Sequence, residues 1–217
     1  MLSLTNSLTF NIMQKEIVLT VEELRKLYAE STREGKDILE AKVPDKSFFN
    51  APTLDDYKSI KTYEDACTAL GVEPLKEDAL LAAGADAHII ALMKLETISK
   101  ALWGRDFEPR PQAEWDGHTY YYWFWWYFYS KSEIEDIKAH PEDNEDIAAL
   151  FGGSAYTGAY AGFGYLDTNY RPAFATASFG FRLCQQSAER ARYFAAQFAE
   201  LWAEYLAWGF VIKERII

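Results

Sequence analysis

Cysteine is scarce in this chain. Cys67 and Cys184 stand in different segments, and neither belongs to a C-x-x-C pair. A disulfide framework needs more than that, so a reducing compartment is the default, with a single bridge between the two left open. Histidine is also rare: His88, His118 and His140 lack the spacing of an H-E-x-x-H zinc site. No unbroken apolar run approaches the ~20 residues that a membrane-spanning helix needs. Residues 1–12 have no basic n-region and no cleavage site, so they read as an early-start extension or a flexible tail rather than a signal peptide. A basic stripe is missing as well. With a net charge of −11, and Glu142-Asp143-Asn144-Glu145-Asp146 as the longest charge run, nucleic acid and anionic membranes are excluded as expected partners.

Aromatic residues are plentiful. They make up 16% of the chain, enough to expect a substantial core, since each ring buries a large apolar area. The 49% hydrophobic and 25% charged content is that of a globular protein rather than a disordered one.

The chain opens with helical patterns. Thr20 and Glu23 form a capping box ahead of Val21, Leu24, Leu27 and Tyr28, which predicts a helix to about Thr32. After a break near Gly35 and Asp37, a short helix or extended piece runs through Leu39. Pro44 and Asn50-Ala51-Pro52 then mark a connector to Leu54. Thr62 and Asp65 box a second helix that Gly71 ends, with Ala66, Cys67 and Leu70 inward. A third is expected from about Ala85 to Trp103, stopped by Gly104, Pro109 and Pro111.

The pattern then changes. Between His118 and Tyr129 runs Tyr-Tyr-Tyr-Trp-Phe-Trp-Trp-Tyr-Phe-Tyr, which reads as one strand covered on both sides and serving as core, or core plus an oligomer seam, with a stacking platform for sugars or bases as the alternative. Any exposed part of it would need a partner. The acidic stretch 132–146 is expected as a short helix and a solvated loop. Further strands are expected at 158–166 and 175–183, with Asn169-Tyr170-Arg171-Pro172 between them. Ser187 caps a last helix, in which Ala191, Phe194, Ala195, Phe198, Leu201, Trp202, Tyr205 and Leu206 share a face and Gly209 is the stop. The fold class is therefore α+β: a helical N-terminal part with a small, mostly antiparallel aromatic sheet backed by the C-terminal helix. The expected divisions are a tail at 1–14, a helical segment at 15–58 and the α+β domain at 59–217.

Motifs of catalysis fail on inspection. Gly152-Gly153-Ser154-Ala155-Tyr156 has tyrosine where a nucleophile elbow needs glycine. The glycines at 152, 153, 158, 162 and 164 fit no phosphate-cradling pattern and read instead as bulges or points of close ring packing. No cofactor and no metal is expected, and Glu142 to Asp146 lacks calcium-loop spacing. Arg182, a charge within an apolar segment, is expected to have a carboxylate partner, with substrate binding as its second role. Cys184 is expected to pack as a small buried hydrophobe.

Several phrases together resemble a family of uncharacterised proteins of phages and prophages of gut Bacteroidetes. They are Ile60-Lys-Thr-Tyr-Glu-Asp-Ala-Cys-Thr-Ala-Leu-Gly71, His88-Ile-Ile-Ala-Leu-Met-Lys-Leu95, the aromatic strand and Phe181-Arg-Leu-Cys-Gln-Gln-Ser187. The resemblance implies an origin, in a bacterial host cell or a virion, and no activity. Residues 151–183 more faintly resemble the closing part of C-type-lectin-like folds, the group of formylglycine-generating-enzyme-like domains and phage variable proteins. Ala155 replaces the tryptophan usual after Gly-Gly-Ser, and a long helix follows the Gly-Phe-Arg-Leu phrase, where such folds end. The resemblance implies a presented surface, and the catalytic cysteines and metal ligands of that group have no counterpart.

Two functional expectations follow. The first is a non-enzymatic binding or assembly protein whose loops between about Ser154 and Ala177 meet a protein or glycan, with Tyr156, Tyr160, Tyr165, Tyr170 and Arg182 as contact candidates. Homo-oligomerisation fits the same reading. The second is an enzyme in which Glu133, Glu135, Asp136 or Asp167 converges with Arg182 in a cleft.

Overall fold

A computed structural model describes residues 7–12, 15–43, 49, 51–106, 114, 116–154, 160–167, 169–172, 181–207 and 209–217. The chain divides into two compact units, Met1–Ala51 and Pro52–Ile217.

In the first unit, β1 (Ser7–Ile12) pairs antiparallel with β2 (Lys15–Thr20). A six-residue register supplies the backbone groups of residues 7–12 with partners. The Thr20–Glu23 capping box forms as the spacing predicts and starts α1 (Val21–Glu30). Thr32 caps α2 (Arg33–Lys42), a full helix where the sequence suggested a short piece. Tyr28 holds the two helices together through a hydrogen bond to Glu40.

The second unit is α+β. Its helices are α3 (Tyr63–Leu70), α4 (Glu77–Ala82), α5 (Ala87–Trp103) and α6 (Lys131–Ala139), then α7 (Ala188–Gln197) and α8 (Ala199–Leu206). The single C-terminal helix read from the periodicity is in fact two, because Phe198 leaves helical geometry at φ −116°, ψ 28°. Its apolar face survives the break: Ala191, Phe194, Ala195, Phe198 and Trp202 are all buried.

The strands are β3 (Tyr120–Trp123), β4 (Trp126–Tyr129), β5 (Ile147–Ser154), β6 (Gly162–Leu166), β7 (Asn169–Pro172) and β8 (Val211–Arg215). β3 and β7 form a two-stranded sheet, while β4-β6-β5-β8 form a four-stranded antiparallel one. The expected single aromatic strand is therefore interrupted at Phe124–Trp125, where it passes from one sheet to the other. The interruption swaps the buried face. Tyr121 and Trp123 are buried in β3, whereas Trp126 and Phe128 pack on the core in β4 and Tyr127 is exposed. Of the strand expected at 175–183, residues 175–180 lie outside the described ones, and Phe181–Leu183 make a 3-10 turn.

One face of the four-stranded sheet packs on α5, α7 and α8 through Phe163, Trp126, Phe194 and Trp202. Phe163 and Trp126 stack at 4.5 Å and 7°. The other face is covered in part by α6, whose Ile134 and Ile137 meet Ile147 and Leu150. Gly162 makes this approach close, since a Cβ there would stand 2.7 Å from Ile134 Cδ1. Cys67 and Cys184 are buried free thiols, and burial pushes Cys184 up to about 12, so it stays a neutral, inert side chain.

Candidate functional site

β3 is held along both edges. On one side Tyr122 pairs with Tyr170 of β7. On the other, Tyr122 and Gln185 exchange backbone bonds, both at 2.9 Å. Gln185 is itself anchored, donating through Nε2 to Ser99 Oγ of α5 at 2.8 Å, and both side chains are fully buried. Tyr121 and Trp123 point into one part of the core, which leaves Tyr120 and Tyr122 on the opposite face by strand alternation, where both are half-buried and Tyr122 also packs against the cluster around Phe124 and Tyr165.

There Tyr170 meets both rings, at 5.4 Å and 79° from Tyr120 and at 5.8 Å and 39° from Tyr122. Tyr170 is 54% exposed. Tyr120 and Tyr122 on the doubly anchored β3, with Tyr170 of β7 against them, form an aromatic surface able to stack a ligand and to exchange hydrogen bonds with it. Other large aromatics stand exposed in the same unit: Trp125, Tyr127 and Tyr160, the last with its ring 4.9 Å from Phe128.

The contact candidates read from the sequence divide accordingly. Tyr160 and Tyr170 are exposed. Tyr165 is buried at 3% exposure against Phe124 and Trp126, because its position in β6 faces the helices; it is a core residue and not a contact. Tyr156 lies outside the described residues, as do 155–159 and 173–177 of the loops between Ser154 and Ala177. Arg182 stands on an exposed turn rather than within a strand, and it pairs with Glu96 at 3.5 Å.

The carboxylates of the enzymatic reading do not converge on Arg182. Glu133 closes the capping box of α6 with Ser130, which holds its carboxyl below the usual range. Glu135 pairs with Lys131 at 3.8 Å and Asp136 with His140 at 3.2 Å, both within one exposed helical turn or at its end. Asp167 accepts a two-pronged contact from Arg192, at 2.8 and 3.1 Å. Among the described residues no group of three His, Cys, Asp or Glu side chains is placed to hold a metal.

Two clefts lie among the described residues of this unit. One, about 250 Å³, is lined by Asp55, Trp103, Gly104, Arg105, Gln186 and Arg190. Here Arg190 donates to the carbonyls of Leu102 and Trp103, Gln186 donates to that of Trp103 at 2.7 Å, and the Arg190 guanidinium lies 5.3 Å from the Tyr57 ring centre. A cation on the last carbonyls of α5 complements the helix dipole, so these residues serve as a joint between α5 and α7. The other, about 310 Å³, runs between α4, α5 and α8, where Lys94 pairs with Glu77 at 2.7 Å and Glu200 and Glu204 stand on the far wall.

The tyrosine surface is the feature that sequence reading caught only in part. Tyr170 stood out as a turn residue, whereas Tyr120 and Tyr122 were hidden in a run without alternation, where nothing separates an outward ring from a core one. Comparison with protein-family models, with curated proteins and with solved structures finds no match.

Proposed function

We propose that this chain is a non-enzymatic binding or assembly protein that meets a protein or glycan ligand through the tyrosine surface of β3 and β7. The observation carrying this reading is the placement of Tyr170, more than half exposed and braced by Tyr120 and Tyr122 on a strand pinned at both edges. Rings fixed before binding lose little entropy on contact, which is what makes tyrosine effective at recognition surfaces. The phrases that resemble phage and prophage proteins support a setting in an infected bacterial cell or a virion. The enzymatic reading has less support, because each carboxylate it invoked is engaged elsewhere.

The test is binding to a glycan array and capture from host-cell extract, each run with the native chain and with Tyr170→Ala. Loss of a central tyrosine contact costs about 2 kcal/mol or more, roughly a thirtyfold drop in affinity. Ligands held equally well by both forms would place recognition elsewhere on the molecule.

A further inference from the structure

The four-stranded sheet has two edge strands, and their sequences differ in kind. β8 is Val-Ile-Lys-Glu-Arg, with Lys213, Glu214 and Arg215 exposed, and its pairing with β5 shifts register between Gly152 and Gly153. Charges and irregular register are the devices by which sheets discourage further strands. β4 has neither. It is Trp-Tyr-Phe-Tyr, without charge or proline, and runs in unbroken register with β6 from Trp126 to Tyr129.

The open edge has a definite hydrogen-bonding phase. Leu166 N–H donates to Trp125 O at 3.2 Å and Ala161 N–H to Tyr129 O at 2.9 Å. In an antiparallel ladder the bonding residues alternate, so 125, 127 and 129 turn their backbone groups toward β6. The N–H and C=O of Trp126 and Phe128 therefore point away from β6, along the outer edge of the four-stranded sheet. Tyr127 between them is 44% exposed.

We propose that β4 pairs antiparallel with β4 of a second copy of this chain, about a two-fold axis at Tyr127. This proposal is independent of the ligand surface described above. An antiparallel partner has to set its own outward-facing residues opposite Trp126 and Phe128, and β4 meets that condition itself. Trp126 then faces Phe128 of the second copy, and each pair exchanges both backbone bonds. Tyr127 meets its symmetry mate at the closely spaced, non-bonded position, and every pair across the seam is aromatic. The two four-stranded sheets become one continuous sheet closed by a two-fold axis, with the charged β8 strands at its ends. Electrostatics favours the same seam. Two chains of net charge −11 repel, and β4 itself carries no carboxylate, those of Glu133 and Asp146 lying near its Tyr129 end.

Sedimentation velocity across the micromolar range tests this on the full chain. The native protein is expected to be a dimer. Tyr127→Lys places two ammonium groups opposite each other at the axis and should raise the dissociation constant at least about tenfold, and Tyr127→Glu should do the same. Far-UV circular dichroism of each variant establishes that it is folded. An equimolar mixture of the two variants should recover the dimer, since lysine then faces glutamate. A native chain that stays monomeric overturns the proposal, even if it captures an extended peptide from another protein. A dimer indifferent to both substitutions overturns it as well, as does a mixture that remains monomeric.

Discussion

Gly153 illustrates how a single position can mislead as a motif and still be indispensable. In sequence it belongs to a Gly-Gly-Ser phrase that invites comparison with a nucleophile elbow. In the fold it sits at the register shift between β5 and β8, where an added Cβ would stand 2.1 Å from the Val211 carbonyl oxygen and 2.9 Å from the Phe210 ring. Backbone cannot yield as a side-chain tip can, so the strand would have to move. Gly153→Ala is therefore expected to cost about 2–3 kcal/mol or more, read as a lower urea midpoint at unchanged slope. Gly152, Gly162 and Gly164 are likewise points of close packing, with a Cβ at each meeting a neighbour within 3 Å, while Gly158 lies outside the described residues. At Gly153 the Phe210 ring lies against the strand position that has no side chain.

Among the elements, α5 is the beam on which the second unit is built. Ile98, Ala101 and Leu102 are fully buried, and its C-terminal carbonyls are received by Arg190 and Gln186 at the start of α7. Arg190→Met keeps the stem of the side chain and removes its donors. Since hydrogen bonds to charged groups contribute about 1.5–3 kcal/mol, a loss of about 2 kcal/mol is expected in chemical denaturation, with the secondary structure content unchanged. Elements bounded by local chemistry were the ones the sequence located well. The capping boxes of α1 and α3 formed as their spacing predicts, and Gly71 ends α3 in the left-handed conformation at φ 67°. Elements bounded by tertiary contact were read less well. The aromatic run was divided by sheet geometry at Phe124–Trp125, and the C-terminal helix broke at Phe198 with no proline or glycine to announce it.

At the scale of the whole molecule, buried phenols contribute to alkaline stability, alongside the buried Cys184 thiol. Tyr63 and Tyr129 are both pushed from 10.0 up to about 12, chiefly by burial, which disfavours the phenolate. Cys67 adds to the effect at Tyr63 and Asp146 at Tyr129. The folded state thus holds protons that the unfolded chain releases first, so ν_U falls below ν_N as pH passes 10. Stability from these groups is fully present below about pH 10 and is lost as pH rises toward 12. Denaturation midpoints measured across that window should fall. Tyr129→Phe, which has no phenol to titrate, should flatten part of the decline, and an unchanged slope would place the effect elsewhere.

The α+β class, the capped helices, the burial of Cys67 and Cys184 and the inward face of the last helices all follow from patterns within a few residues. Periodicity and caps act through the local backbone, so the order of amino acids is enough to specify them. The aromatic run was different. Fourteen tyrosines and fourteen phenylalanines carry nearly the same local signal whether they face core or solvent. Which ring is Tyr165, sealed against Phe124, and which is Tyr170, standing exposed over β3, depends on which strand pairs with which and on what covers each face. Those choices join residues far apart in the chain, through pairings such as Tyr122 with Gln185, and they exist only once the sheets have assembled on the helices.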